Sequence, residues 1–111
     1  MNKKIIETLK PLKIDLEFLE YTGNKNEYII FSIYGDKETL FSDDESEAFE
    51  GYISLNYWYK SSSGYTNINK ITKLMKDAGF KMIDGTDLKE NGFFGRNFIF
   101  KYTEFNEERG I

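Results

Sequence analysis

Residues 51–60, GYISLNYWYK, decide the fold, because apolar and polar side chains alternate along most of the stretch. Successive side chains of a β-strand point to opposite faces of a sheet, so this alternation predicts a long strand. Its two faces carry Ile53, Leu55, Tyr57 and Tyr59 on one side, and Tyr52, Ser54, Asn56 and Trp58 on the other. We expect the first set to pack in the core and the second set to face away from it.

The segment that follows predicts a helix over residues 66–78. Its apolar stripe repeats at helical spacing and consists of Ile68, Ile71, Leu74, Met75 and Ala78. Thr66 is the expected N-cap, because its hydroxyl can accept a hydrogen bond from an amide of the first turn. Gly79 suits the left-handed position that follows a helix.

The end of the chain predicts a hairpin. Asn91-Gly92 separates strand-like runs over residues 80–90 and 93–105. This dipeptide favours a type I′ turn, in which both central residues need positive φ. In the last strand Phe98, Phe100 and Tyr102 would share a face. Residues 106–111 are expected to fray, as are residues 1–2.

The segments before residue 51 predict a helix and two further strands. Residues 3–10 form a short amphipathic pattern that Pro11 should end, because proline lacks the amide donor and clashes with the preceding turn. Residues 14–21 alternate as a half-buried strand does. Residues 27–34, EYIIFSIY, predict a strand that closes at Gly35-Asp36.

Two short stretches are harder to place. Leu40–Phe41 either pairs with residues 28–34 or lies in a loop. The acidic stretch from Asp43 to Glu50 is predicted to be a loop. Strands interrupted by single helices are typical of an α+β fold. We therefore expect a mainly antiparallel sheet of four to five strands packed against two helices, in one domain over residues 1–111.

The composition weakens most enzymatic interpretations. The 111 residues include neither cysteine nor histidine, which excludes disulfides, thiolate catalysis and the commonest general base. Ser61–Ser63 therefore has no histidine partner, and the acidic stretches lack the register of a calcium loop. We predict no catalytic activity, no cofactor and no metal.

Hydropathy and net charge weigh against two classes of partner. No apolar run approaches the ~20 residues of a membrane span, and the first residues lack a signal-peptide pattern. The net charge of −4 opposes sequence-specific nucleic-acid binding, whose affinity rests largely on basic residues. We expect no membrane as partner and no sequence-specific binding of nucleic acid.

Charged and aromatic side chains predict a protein interface. The basic candidates are Lys3, Lys4 and Lys10, and the acidic candidates are Asp43, Asp44, Glu45, Glu47 and Glu50. Such unlike patches can complement each other between copies, or complement a partner. Tyr52 and Trp58 are added because tyrosine and tryptophan are enriched at interfaces. The alternative interpretation is that the charges are solvated and the aromatic residues pack in the core.

The order of these motifs resembles the small tail terminator, or tail completion, proteins of long-tailed bacteriophages and prophages. The similar features are a leading helix and short strand, the tyrosine-led strand at Tyr28–Phe31, the acidic segment Leu40–Glu45 before the strand Gly51–Leu55, and the helix ending at Met75–Phe80 before a hairpin. The resemblance spans residues 3–103. It departs at Asn56–Lys60, which is more aromatic than the family pattern.

The resemblance implies an α+β subunit of the virion. Such subunits assemble as a homohexameric ring at the head-proximal end of the tail, after synthesis in the cytoplasm of the bacterial host. The ring stops polymerisation of the tail tube protein and meets the head-tail connector protein, and the sheath protein where the tail is contractile. Acidic side chains would line a channel through which DNA passes without binding.

A different class of protein fits the same composition. A small, acidic, aromatic-rich chain is also typical of an immunity protein that blocks the basic active site of a toxin. In that alternative the stretch Asp43–Glu50 is the inhibitory element.

Overall fold

The computed structural model describes residues 1–40 and 47–105. In chain order the described elements are α1 (Asn2–Leu9), β1 (Asp15–Phe18), β2 (Glu27–Leu40), β3 (Glu47–Tyr59), α2 (Tyr65–Asp77), β4 (Lys81–Glu90) and β5 (Phe93–Phe105), with 3₁₀ turns at Lys10–Leu12 and Ser62–Gly64. Within these residues one sheet contains five strands in the order β1-β2-β3-β5-β4. β1 is parallel to β2 and the other neighbours are antiparallel. The predicted α+β class is confirmed.

One face of the sheet carries the core, with both described helices packed against it. The predicted alternation of the long strand is confirmed, because Ile53, Leu55, Tyr57 and Tyr59 are all buried there. The rest of this core consists of Ile5, Leu9, Ile29, Phe31, Ile68, Ile71, Met75, Phe80, Phe98, Phe100 and Tyr102. Burying each such side chain contributes about 1.5–3 kcal/mol relative to leaving it exposed.

The hairpin of β2 and β3 is longer than the sequence predicts. Gly35 takes a φ of 63°, and the pairing register shifts between Tyr34 and Lys37. Glycine adopts this left-handed φ without steric cost, so Gly35 forms a bulge within β2, and the predicted end at Gly35-Asp36 is wrong. The strand continues to Leu40, which pairs with Glu47.

The predicted loop from Asp43 to Glu50 is therefore wrong in its second part. β3 begins at Glu47, four residues before the predicted start at Gly51. Phe41 and residues 43–46 lie outside the described residues, as does the predicted fraying of residues 106–111. An alternating strand pattern does not show how far a hairpin extends once its side chains become polar on both faces.

The first strand is shorter than predicted, and its connection to β2 is unusual. β1 ends at Phe18 instead of Tyr21, and Leu19 follows with a φ of 70°. Parallel neighbours commonly need a dozen or more residues to connect, but only residues 19–26 separate β1 from β2. This connection packs against the sheet through Tyr21, whose ring stacks on Tyr28 with centroids 4.0 Å apart.

The sequence makes four predictions about helix ends and turns. Gly79 and the pair Asn91 and Gly92 have positive φ values of 96°, 50° and 82°, as predicted. α1 ends at Leu9, before Pro11. The predicted N-cap at Thr66 is wrong: α2 begins at Tyr65, and the Thr66 hydroxyl instead donates to the Ser63 carbonyl oxygen at 2.9 Å.

Candidate functional site

The second face of the sheet points away from both described helices, and we call it the open face. The uncharged side chains of the open face include Tyr28, Ile30, Ser32, Tyr34, Tyr52, Ser54, Asn56, Trp58, Phe93, Asn97 and Ile99, which the strand registers place side by side. All of these are half-buried except Tyr34, which is exposed. The same registers place Glu50 and Lys101 on one end of this face and Glu90 on the other. The predicted candidates Tyr52 and Trp58 both lie here, Tyr52 near the middle of β3 and Trp58 near its end.

The centre of the open face is polar and uncharged. The Asn97 amide nitrogen donates to Ser54 Oγ at 3.1 Å and to Asn56 Oδ1 at 2.7 Å. These bonds link β5 to β3 and satisfy side chains that would otherwise need water. Ser32 lies opposite Ser54 on the neighbouring strand. A contacting molecule would therefore meet hydroxyl and amide groups without displacing an ion pair.

Aromatic rings crowd one end of the open face. The Tyr28 ring centroid is 5.7 Å from that of Phe93. Trp58 lies across Gly95, where an added Cβ would be only 2.6 Å from the indole ring. A cavity of about 420 Å³ opens between Tyr28, Ile30, Trp58 and Phe93. Leu19, with 64% of its surface exposed, stands at the rim.

The connection over residues 19–26 is held at this end by hydrogen bonds to β1. Tyr21 Oη donates to Asp15 at 2.8 Å, and Lys25 Nζ lies 3.0 Å from the same carboxylate. The bond from Tyr21, and next the bond from Lys25, lower the pKa of Asp15. Thr22 donates from its amide and its hydroxyl to Glu17. These bonds therefore fix the connection against β1, and its first residue, Leu19, lines the cavity.

Charged candidates lie at the opposite end of the sheet. Glu50 lies 3.6 Å from both Lys37 and Lys101. The Met1 amino group lies 3.3 Å from Glu104, with both groups almost fully buried, and Glu104 pairs with Phe49 across the sheet. The start of α1 is therefore at the same end of the sheet as β3's first residues.

The basic candidates lie along α1 and the turn after it, and α1 starts at this end. Lys4 holds its ammonium 5.2 Å from the Phe80 ring centroid, and Lys3 and Lys10 are exposed. Asp43, Asp44 and Glu45 lie outside the described residues. The backbone of Glu47 belongs to β3, but the described part of the structure does not include its side chain. The structure thus brings Lys3 and Lys4 to the end of the sheet where Leu40 and Glu47 flank the acidic segment, while Lys10 lies further along.

Sequence reasoning missed a polar cluster on the helix side, in which Tyr57 is buried and Glu27 and Asn67 are half-buried. Tyr57 donates its hydroxyl hydrogen bond to Glu27, and the Asn67 amide donates to Glu27 and to Tyr57 Oη at 3.1 Å each. Burial, and next the bond to Glu27, raise the pKa of Tyr57 well above its usual range. The cluster ties α2 to β2 and β3. The sequence offers one signal for this cluster. Tyr57 stands among the core positions of β3, and a buried tyrosine hydroxyl usually needs a hydrogen-bond partner.

Comparison of this chain with protein-family models and with curated proteins finds no match. Among residues 1–40 and 47–105, no group of three or more acidic side chains is arranged to hold a metal ion. Neither helix within those ranges has the length and apolar character to cross a membrane.

Proposed function

We propose that this chain is a structural virion protein of the tail-terminator type. It would form a homohexameric ring on the finished tail tube, stop tube polymerisation and join the tail to the head connector. Its place would be the head-proximal end of the tail, reached from the host cytoplasm during assembly. Two observations support this proposal. They are the order of the sequence motifs and the α+β fold of the chain.

The observation that carries the proposal is that the start of α1 lies at the same end of an elongated molecule as the last residue of β2 and the first residue of β3. The principal extents are 51 × 24 × 22 Å. The start of α1, with Lys3 and Lys4, lies at the same end as Leu40 and Glu47. These two residues flank the acidic segment Asp43–Ser46 in sequence.

A closed ring of subunits is consistent with two different patches at the same end of each subunit. Its contacts are heterologous, so one patch of a subunit meets a different patch of its neighbour. Rotation about the ring axis keeps each residue at its own height along the axis. Two patches can therefore meet only when they share a height, which they do if the long axis of the subunit runs roughly along the ring axis.

Affinity capture tests the function. The tagged chain is expressed in its native host, any prophage is induced, and co-purifying chains are identified by mass spectrometry. We expect tail tube and head-connector subunits, and sheath subunits if the tail is contractile. Recovery of a single toxin-like partner in a small stoichiometric complex would instead establish the immunity alternative and contradict the tail role.

Charge reversal tests the contact between subunits. We expect Glu45→Lys with Glu47→Lys to block ring formation and tail joining, because like charges then face each other. Adding Lys3→Glu and Lys4→Glu to the same chain should restore joining at least in part. The matched control is Glu20→Lys with Glu90→Lys, which makes the same change in net charge at exposed positions away from this end. Unimpaired joining by the first variant would remove the proposed contact.

A further inference from the structure

Two adjoining cavities form a groove across one end of the open face. The first, of about 420 Å³, opens between Tyr28, Trp58 and Phe93. The second, of about 490 Å³, lies against the connection over residues 19–26 and shares Tyr28 and Phe93 with the first. Cavities of this size are typical of small-molecule sites. We propose that this groove is a binding site for a neutral saccharide.

Aromatic rings supply the apolar surface of the groove. The Phe93 ring centroid lies 5.7 Å from that of Tyr28, which in turn stacks on Tyr21. Trp58 lies across Gly95, and the first cavity separates it from the other rings. The C–H groups on the face of a sugar ring are apolar and can pack on an aromatic ring. Because these rings already support one another, binding needs little further ordering of side chains.

Asparagine side chains supply the hydrogen-bonding groups of the groove. Asn56 lines the first cavity and accepts from Asn97 at 2.7 Å through its side-chain oxygen. Within the described residues the amide nitrogen of Asn56 makes no hydrogen bond, so both of its donors are available. Asn91 also lines the first cavity, and Asn24 and Asn26 line the second. A side-chain amide donates and accepts, as the hydroxyl groups of a sugar do.

Charges of both signs lie beside the groove, and they favour a ligand without net charge. Glu90 lines the first cavity and pairs with Phe93 across the hairpin, and the Lys60 ammonium is 4.6 Å from the Phe93 ring centroid. Glu20 and Lys25 both line the second cavity. A carboxylate repels an anionic ligand and an ammonium repels a cationic one. A hydroxyl can donate to the carboxylate and accept from the ammonium. The groove therefore favours a polyhydroxyl ligand over a phosphate ester or an alkylammonium.

Nuclear magnetic resonance of the purified, ¹⁵N-labelled chain tests the site. Trp58 is the single tryptophan, so its indole N–H gives one cross-peak that reports on the first cavity. The probes are four neutral disaccharides: maltose, cellobiose, lactose and N,N′-diacetylchitobiose. We expect at least one of them to shift this cross-peak along a saturable curve, with a dissociation constant of about 1 mM. Choline chloride and sodium phosphate at the same concentration should not shift it saturably.

Two variants test the lining of the groove. Phe93→Leu removes the ring that both cavities share and should weaken saccharide binding by at least about tenfold. The matched control is Phe94→Leu, the same change at the next residue, whose ring lies beside Tyr59 on the helix side. This control should bind as the parent chain does. Glu90→Gln, at an exposed position, should weaken binding about threefold, because a charged acceptor forms the stronger hydrogen bond.

The inference does not rest on the proposed tail function, because binding is measured on the purified chain alone. The dispersion of the same spectra shows whether each variant is folded. The proposal is overturned if none of the four disaccharides shifts the Trp58 cross-peak saturably up to ~50 mM. It is likewise overturned if only choline or phosphate does so, or if folded Phe93→Leu and Glu90→Gln chains both bind like the parent.

Discussion

The two faces of the sheet are formed by the same strands but carry different kinds of side chain. On the helix side, every second residue of β3 from Ile53 to Tyr59 is buried beneath α1 and α2. On the open face, the residues between them are half-buried aromatic, hydroxyl and amide side chains. From this difference we expect stability to be concentrated on the helix side. Matched substitutions on the two faces test this division.

The largest difference is expected for isoleucine truncation. Ile53→Ala removes a fully buried side chain and should lower the free energy of unfolding by about 2–5 kcal/mol, because it loses transfer energy and leaves a cavity. Ile99→Ala makes the same change on the open face, where water can refill the space, and should cost about 1 kcal/mol. Urea denaturation measures both. Equal losses would contradict the division between the faces.

Removal of a tyrosine hydroxyl should give the next largest difference. Tyr57→Phe leaves Glu27 and Asn67 without a shared partner and should cost about 2 kcal/mol at neutral pH. Tyr52→Phe on the open face should change stability by less than about 0.5 kcal/mol. The same denaturation experiment compares the two variants. A Tyr57→Phe chain as stable as the parent would show that the Tyr57 hydroxyl does not stabilise the packing of α2 on the sheet.

The pH dependence of the Tyr57 effect follows from its raised pKa. Above pH ~10 the unfolded chain loses the phenolic proton while the folded chain keeps it. The unfolded state then binds fewer protons, so stability falls as pH rises. The difference between the parent chain and Tyr57→Phe should shrink by about 1.4 kcal/mol per pH unit above this point. A constant difference between pH ~9 and ~11 would contradict the assignment.

Two glycines beneath aromatic rings make a third comparison. An added Cβ at Gly51 would lie 2.6 Å from the Tyr102 hydroxyl, which donates to Asp36 and is buried. Gly51→Ala should therefore cost about 1–2 kcal/mol. Gly95→Ala crowds the half-buried Trp58, which can move outward, and should cost less. Trp58 is the single tryptophan, so its emission should shift in the second variant alone.

The smallest effect is expected at the connection over residues 19–26. Asp15→Asn removes the ion pair with Lys25 and weakens the bond from Tyr21. Hydrogen exchange at the Lys25 amide, which donates to Tyr21 Oη, should become faster. Because the pKa of Asp15 is lowered, this protection is present above pH ~3.8 and is lost as pH falls further. Asp77→Asn breaks an exposed pair with Lys73 and should leave Lys25 unchanged.

Local patterns predicted the parts of the fold that depend on near neighbours. The alternation over residues 51–60 placed four buried side chains correctly, because strand periodicity needs no knowledge of the partner strand. Asn91-Gly92 and Gly79 were predicted correctly because their backbone conformations favour those residue types. The same reasoning placed Tyr52 and Trp58 away from the core.

Features that depend on distant residues could not be predicted in this way. Gly35-Asp36 has the composition of a turn, but Asp36 accepts from Tyr102, 66 positions later in the chain, and the strand continues through a bulge. The parallel pairing of β1 joins residues 15–18 to residues 28–31 across the connection. The bond between Glu27 and Tyr57 likewise joins residues 30 positions apart.

Electron microscopy of tails from the native host tests the central claim most directly. After deletion of the coding sequence and induction of the prophage, the proposed function predicts tubes of uncontrolled length that are detached from heads. Expression of the parent chain should restore tails of uniform length joined to heads, whereas the chain with Glu45→Lys and Glu47→Lys should not. Uniform tails joined to heads in the deletion strain would contradict the account.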